Sequence, residues 1–261
     1  EMGSPSFIPF IESHRAEFAS DVIVVADSGN WSADIPSLTT SLRGNTSVDV
    51  RVTVLEHPVH SGQFGGPILD ANTLACMLIA SMYDLDGQLS IPGLDKQEPV
   101  GGLDRDLDEA TVRADSSVVD SYRLAGTGSL ASRMWTKPSA TIIGIDAHPV
   151  SGSFNVIADT TRLRLSIRTA PDQDPRQAQK AVSDFLVAHA PRGAEVDVTP
   201  LDNGRGWSMD PRAQATKDAL QSMRESFGVP PINKGEGGSI PLIPELPRRS
   251  LIQISEPTRP Y

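Results

Sequence analysis

The chain has 261 residues, 38% of them apolar and 21% charged, which is enough for one large domain or two small ones with a true core. Its formal net charge is −10, and this argues against nucleic acid, whose affinity rests on Lys and Arg neutralising phosphates. No apolar stretch approaches the roughly 20 residues of a membrane span. The one cysteine, Cys76, lies in the apolar run LACMLIA and reads as a core residue that can form no intrachain disulfide. The start, Glu1 rather than Met, carries no basic leader and reads as the middle of a longer protein. Cytoplasm is the default location.

In chain order, residues 6–19 read as a short helix with Phe7, Phe10, Ile11 and Phe18 on its apolar side. VIVVA, 22–26, is a continuous apolar run and reads as a strand buried on both faces, as in a parallel sheet covered by helices. SLTTSLRG, 37–44, reads as a second strand ended by Gly44. Residues 47–56 alternate strictly, with Val48, Val50, Val52 and Val54 on one side, and predict a strand with one solvated face. A helix follows from about Asp70, its N-cap, to Tyr83. The stretch 85–137 predicts a long loop with one helix near 107–121. Residues 140–148 and 155–170 predict two strands, the second alternating Leu163, Leu165 and Ile167 with Arg162, Arg164 and Arg168. Asp174 and Pro175 open a helix running to about His189, and 194–200 predicts another strand. Asp210 and Pro211 are expected to start a helix that Gly228 ends. A glycine-rich turn and a final strand near 251–254 complete the reading.

Residues 47–200 thus read β-α-β-β-α-β, the order of an antiparallel sheet with both helices on one face, the ferredoxin-like arrangement. The expected organisation is discontinuous: an α/β unit, interrupted by an α+β insert and then resumed.

Three stretches carry chemical interest. In VVADSGNW, Asp27 directly follows the apolar run. Ligands of α/β sheets gather at the carboxyl ends of strands, and a carboxylate there suits a hard metal; the plainer alternative is an Asp capping a turn. In HPVHSGQFGG, 57–66, two histidines three apart precede glycines, either a functional loop or surface decoration. In GEGGSIP, 235–241, glycines before Ser239 and an expected helix start could form an anion-binding nest, or a simple turn. No G-x-S-x-G elbow or H-E-x-x-H helix occurs. His14, His148 and His189 read as structural.

Taken together, these stretches resemble the M20 metallopeptidases, and within them the dipeptidase and carnosinase branch. EMGSPS resembles the end of that family's Glu-Glu motif, VADSGNW its Asp-ligand segment, and HPVHSGQFGG its D-L-H-S-G-x-x-G-G. FNVIADTTRLRLSIRTAP resembles its N-V-I-P…R strand pair, and GEGGSIP its G-G-S-I-P turn. The resemblance implies an α/β catalytic domain of the zinc-peptidase kind (1–44 and 201–261), interrupted by a ferredoxin-like lid and dimerisation domain (45–200). It implies two divalent metals, Zn2+ with Mn2+ or Co2+ as alternatives, with Glu1 a ligand of one and Asp27 of the other. It implies that His60 polarises the scissile carbonyl in the partner subunit's site. Asn155, Arg168, Gly238 and Ser239 would hold the substrate's C-terminal part; a guanidinium binds a carboxylate in bidentate fashion. The activity implied is hydrolysis of dipeptides or related N-acyl amino acids by metal-activated water, in a homodimer.

Two departures accompany the resemblance. The family's earlier metal ligands and its general base have no counterpart in this sequence, and no histidine follows His189 to serve as its last ligand. The chain alone is therefore expected to be incomplete and inactive, and the alternative reading is a non-catalytic module that dimerises through its lid.

Overall fold

Alternation builds the larger of the two main sheets, which a two-stranded ladder accompanies among the described residues. In a computed structural model that describes residues 6–18, 20–26, 28–96, 105–240 and 243–244, Val48, Val50 and Val52 are buried, while Asp49 and Arg51 between them face the other way and pair with Arg164 and Asp197. A strand places successive side chains on opposite faces, so one face becomes core and the other a charged surface.

The elements follow in chain order: α1 Phe7–Ser13, α2 Arg15–Phe18, β1 Ser37–Leu42, β2 Gly44–Thr53, β3 Val59–His60, α3 Ser61–Phe64, α4 Ala71–Ala80, α5 Glu109–Ser116 and α6 Leu130–Trp135. Then come β4 Ser139–Asp146, β5 Val156–Ile157, β6 Thr160–Thr169, α7 Pro175–Ala188, β7 Glu195–Gly204, β8 Trp207–Ser208, α8 Gln214–Phe227 and β9 Ile232–Glu236. The larger sheet is antiparallel, in the order β4-β6-β2-β7. Helices α4 and α7 pack on one face of it. Leu74 and Leu78 from α4 and Val182 and Leu186 from α7 join Val50, Leu163, Leu165 and Ile167 in one core cluster. Each such side chain taken out of water contributes about 1.5–3 kcal/mol. Buried Gln179 on α7 ties the layers together: its Nε2 donates to the carbonyls of Ser47 and Leu201, each at 2.9 Å. Asp70 and Asp174 cap α4 and α7 as expected, accepting from the backbone N–H groups of Thr73 and of Arg176 and Gln177.

The smaller sheet has the order β8-β1-β9, with β1 and β9 parallel. The chain leaves this sheet after Leu42, builds the larger one, and returns at Trp207. The outward and returning segments touch where they cross. A side chain at Gly206 would run into the backbone of Leu42, Gly44 and Pro171, so the crossing requires glycine. No helix among the described residues is long and apolar enough to cross a membrane.

The structure corrects several expectations. Residues 22–26 form no strand, and Val22 and Val24 are 54% and 86% exposed. Its backbone joins no ladder among the described residues, although residues 28–30 just after it bond to Ser37 and Thr39 of β1. The helix of 6–19 is broken at His14 into α1 and α2. Gly44 begins β2 rather than ending β1. Cys76 is exposed, as is Met77: α4 is apolar nearly all round, so composition alone could not say which side meets the core. Asp210 does not cap α8; it accepts from Arg212 within a turn, and the helix starts at Gln214. Gly228 ends that helix in the left-handed conformation as expected. Helix α6, capped by Ser129, and strand β9 were not anticipated; β9 occupies part of the stretch read as a glycine-rich turn. The final strand expected at 251–254 lies outside the described residues.

Candidate functional site

Of the residues picked out in the sequence, Glu1 and Asp27 lie outside the described residues. The other five fall into two groups. His60 and Asn155 form one, and Arg168, Gly238 and Ser239 the other.

His60 ends β3, which pairs with β5 in the register His60 opposite Val156. The next residue, Ser61, donates its N–H to the carbonyl of Asn155, so a two-residue ladder holds His60 and Asn155 side by side, both exposed. The imidazole Nδ1 accepts the N–H of Gly62 at 3.0 Å. An accepting Nδ1 leaves the proton of neutral His60 on Nε2, the nitrogen not engaged by that loop and the one able to donate to a carbonyl oxygen. Gly62 permits this arrangement: a Cβ there would lie 2.9 Å from His60 Cε1. His57, two residues before β3, is exposed.

Arg168 lies at the other end of the sheet. It sits on the face of β6 away from the helices, between Asn45 on β2 and Ser139 on β4. Its guanidinium donates to Ser239 Oγ at 3.1 Å, and Ser239 Oγ reaches Asn45 Oδ1 at 3.4 Å. Gly238 borders open space: a Cβ there would meet nothing within 4 Å. Nearby, half-buried Arg43 donates from Nε to the carbonyl of Gly237 at 3.1 Å and from Nη1 to Ser139 Oγ at 3.1 Å. Burial, with the like charge of Arg168 added, lowers the Arg43 pKa to about 10 against the pull of Glu236. The result is a cationic, partly open corner with hydroxyl and backbone groups around it, a setting suited to an anion such as a carboxylate. The expected nest of backbone N–H groups is not what makes it so. Gly235 belongs to β9, and the N–H of Gly237 is taken by Glu236 Oε1.

The two groups do not meet within one chain. Strand β6 has 10 residues, about 30 Å at the usual rise. Arg168 is near its end, whereas Asn155 precedes its start, where Val54 bonds to the carbonyl of Asp159. Sequence reading missed Asn45 and Arg43. Both flank Gly44 at the point where the chain passes between sheets, and nothing in the pattern of strand residues marks them.

Among the described residues no group of three His, Cys, Asp or Glu side chains is arranged to hold a metal. The two expected ligands, Glu1 and Asp27, lie outside that set, and the described site residues offer hydrogen-bond donors, the Arg168 guanidinium among them. His14 and His189 play matching structural parts, each stacked on a phenylalanine one turn earlier with Nδ1 against its carbonyl oxygen.

Residues 40–194 match the family described as the peptidase dimerisation domain of the M20 group. The chain is 33% identical over 235 residues to the cysteinylglycine-S-conjugate dipeptidase of Corynebacterium striatum, covering 89% of this chain and 51% of that protein. It is 27% identical to the beta-Ala-His dipeptidase of Rattus norvegicus, covering 93% and 52%. The solved structure of the dipeptidase Dug1p from Saccharomyces cerevisiae superposes with a TM-score of 0.75 at 22% identity, covering 96% of this chain and 55% of that one. Human carnosine dipeptidase 1 gives 0.71 at 24% identity with the same coverage. These likenesses show a shared fold, and the chain spans about half the length of the curated relatives it matches.

Proposed function

Because the chain belongs to the M20 peptidase family, we propose that it forms the substrate-recognising, dimer-forming part of a metal-dependent dipeptidase acting on dipeptides or related N-acyl amino acids. The relatives named above are dipeptidases, and a dipeptide presents a free carboxylate at one end and a carbonyl to be polarised near its middle. The observation that carries the reading is the cationic corner of Arg168, Ser239 and Asn45. Arg168 takes the substrate carboxylate, Ser239 and Gly238 border it, and Asn155 and His60 belong to the carbonyl end. His60 Nε2–H donates to the carbonyl oxygen and stabilises the negative charge that develops there. The divalent metal, two Zn2+ in the reading from resemblance, would supply the activated water. Glu1 is proposed as a ligand of one metal and Asp27 as a ligand of the other.

In this reading residues 45–200 are the ferredoxin-like lid, and 1–44 and 201–261 belong to the catalytic domain. The distance between the two groups of site residues requires a second copy: His60 and Asn155 of one chain serve the Arg168 corner of the other. Strand β4 is the surface proposed for that pairing. It is an edge of the larger sheet, and Ile142, Ile143 and Ile145 on it are 44%, 57% and 52% exposed. An unpaired, isoleucine-rich edge is an open template for another strand.

Titrating the chain with glycylglycine and with its C-terminal amide, followed by NMR, tests the function. The acid is expected to bind at least about tenfold more tightly, as a charge-assisted contact contributes about 1.5–3 kcal/mol. Equal affinities would sink the proposal. For the assembly, Ile143→Lys should turn a dimer into a monomer in sedimentation velocity while leaving the thermal midpoint of the fold in place. A wild-type monomer at tens of micromolar would overturn it.

A further inference from the structure

We propose that Arg43 is a positioning residue of the carboxylate subsite, holding the 237–239 turn in place and keeping a second guanidinium beside Arg168. The inference rests on the reading of Arg168 given above, and it adds a residue that neither the motifs nor the strand pattern single out.

The role of Arg43 follows from its place in the chain. It occupies the single residue between β1 and β2, so its backbone belongs to the crossing between the two sheets. Its N–H bonds to the carbonyl of Glu236 at 3.3 Å. Its side chain then bridges two other segments, 137–139 and the 237–239 turn. Nε reaches the carbonyl of Gly237, and Nη1 reaches Ser139 Oγ and, more loosely, the carbonyl of Lys137. Gly237 is packed against it, since a Cβ there would lie 3.1 Å from Arg43 Nη2. The turn so held carries Ser239, whose hydroxyl accepts from Arg168.

The electrostatics point the same way. A half-buried guanidinium placed near a second one is unfavourable unless an anion joins them. Arg43 has Glu236 for partial compensation, but Glu236 is also shared by Lys234 at 3.7 Å and by the N–H of Gly237. Two cationic side chains, Arg43 and Lys234, therefore share one carboxylate, and Arg168 adds a third positive charge beside Arg43. An arriving substrate carboxylate relieves the excess, and an uncharged amide of the same shape does not. Arg43 would also fix where the charge sits: its five N–H donors lie in a rigid fork, which a lysine cannot copy.

The test compares glycylglycine with its C-terminal amide on the full chain, in wild type, Arg43→Gln, Arg43→Lys and Arg168→Met. Arg43→Gln keeps a donor for the Gly237 carbonyl and removes the charge. It is expected to weaken the acid about tenfold and leave the amide within about twofold. Arg43→Lys should recover part of the loss, and the Arg168 Nε–H resonance should move in both variants. Equal weakening of acid and amide, or a folded Arg43→Gln chain that binds the acid like wild type, would overturn the role. If Arg43→Gln does not fold, Arg43→Lys alone decides: unchanged acid affinity and an unmoved Arg168 resonance overturn it. A loss in Arg168→Met without one in the Arg43 variants removes Arg43 and leaves the subsite standing. No loss in Arg168→Met removes the subsite itself and the inference with it.

Discussion

Arg168→Met should weaken glycylglycine binding by about 10- to 150-fold and leave the C-terminal amide almost untouched. A hydrogen-bonded ionic contact to a carboxylate contributes about 1.5–3 kcal/mol, and each 1.4 kcal/mol is tenfold in affinity. Methionine matches the length of the arginine stem but offers no donor, so the substrate carboxylate would face Ser239 and Asn45, with only the charge of Arg43 nearby. The fold should survive the change. Arg168 lies on the face of β6 opposite the core, half-buried, and substitutions away from the core commonly stay within about 0.5 kcal/mol. A titration that shows similar acid affinity in the two proteins would refute the assignment of Arg168, and so would a matching loss for the amide.

Leu165→Ala should remove about 2–5 kcal/mol of stability, the usual result of truncating a buried leucine. Leu165 is 1% exposed and lies opposite Val48 on one side and Ile142 on the other. Its neighbours come from both core helices as well as from the sheet, so little of the space it leaves can close. Domains are stable by only about 5–15 kcal/mol, and the variant is expected to lose a large fraction of that margin. The midpoint of urea unfolding reports it, with Ser166→Ala on the opposite face as a control expected to stay near wild type. A shift equivalent to less than about 1 kcal/mol would show that the core is not built around this strand.

The larger sheet was the most legible part of the chain. Strict alternation in 47–56 and 160–169 leaves one register that buries the apolar side, and the caps Asp70 and Asp174 announce both core helices. The smaller sheet was legible only in β1. Strand β9, INKGE, has one branched apolar residue and a glycine, and it becomes a strand because β1 lies parallel beside it. That is a tertiary effect that no local pattern carries. The reverse failure, VIVVA, is also one that local pattern cannot decide: an apolar run is a strand only when its backbone enters a ladder, and 22–26 enters none among the described residues. In the candidate site, His60, Gly238 and Ser239 lie in stretches that residue type already marks, and Asn155 and Arg168 came through resemblance, whereas their separation into two groups became visible only with the sheet register. Asn45 entered by facing Arg168 across that register, and Arg43 by where its side chain ends. Neither property is written in residue type.

The crossing between the two sheets has a consequence for how so long an insert is accommodated. Contacts between β1 and β9 join residues 194 positions apart, and closing a flexible loop of that length from an unfolded chain carries a sizeable entropic cost, though one that grows only with the logarithm of length. The insert itself removes most of that cost. Asn45, where the larger sheet begins, lies directly opposite Gly204, where it ends. Once the larger sheet has formed, its two ends emerge side by side, and β1 and the residues leading to β9 are separated by a short effective span. To the smaller sheet, the whole inserted unit then behaves as a brief connection.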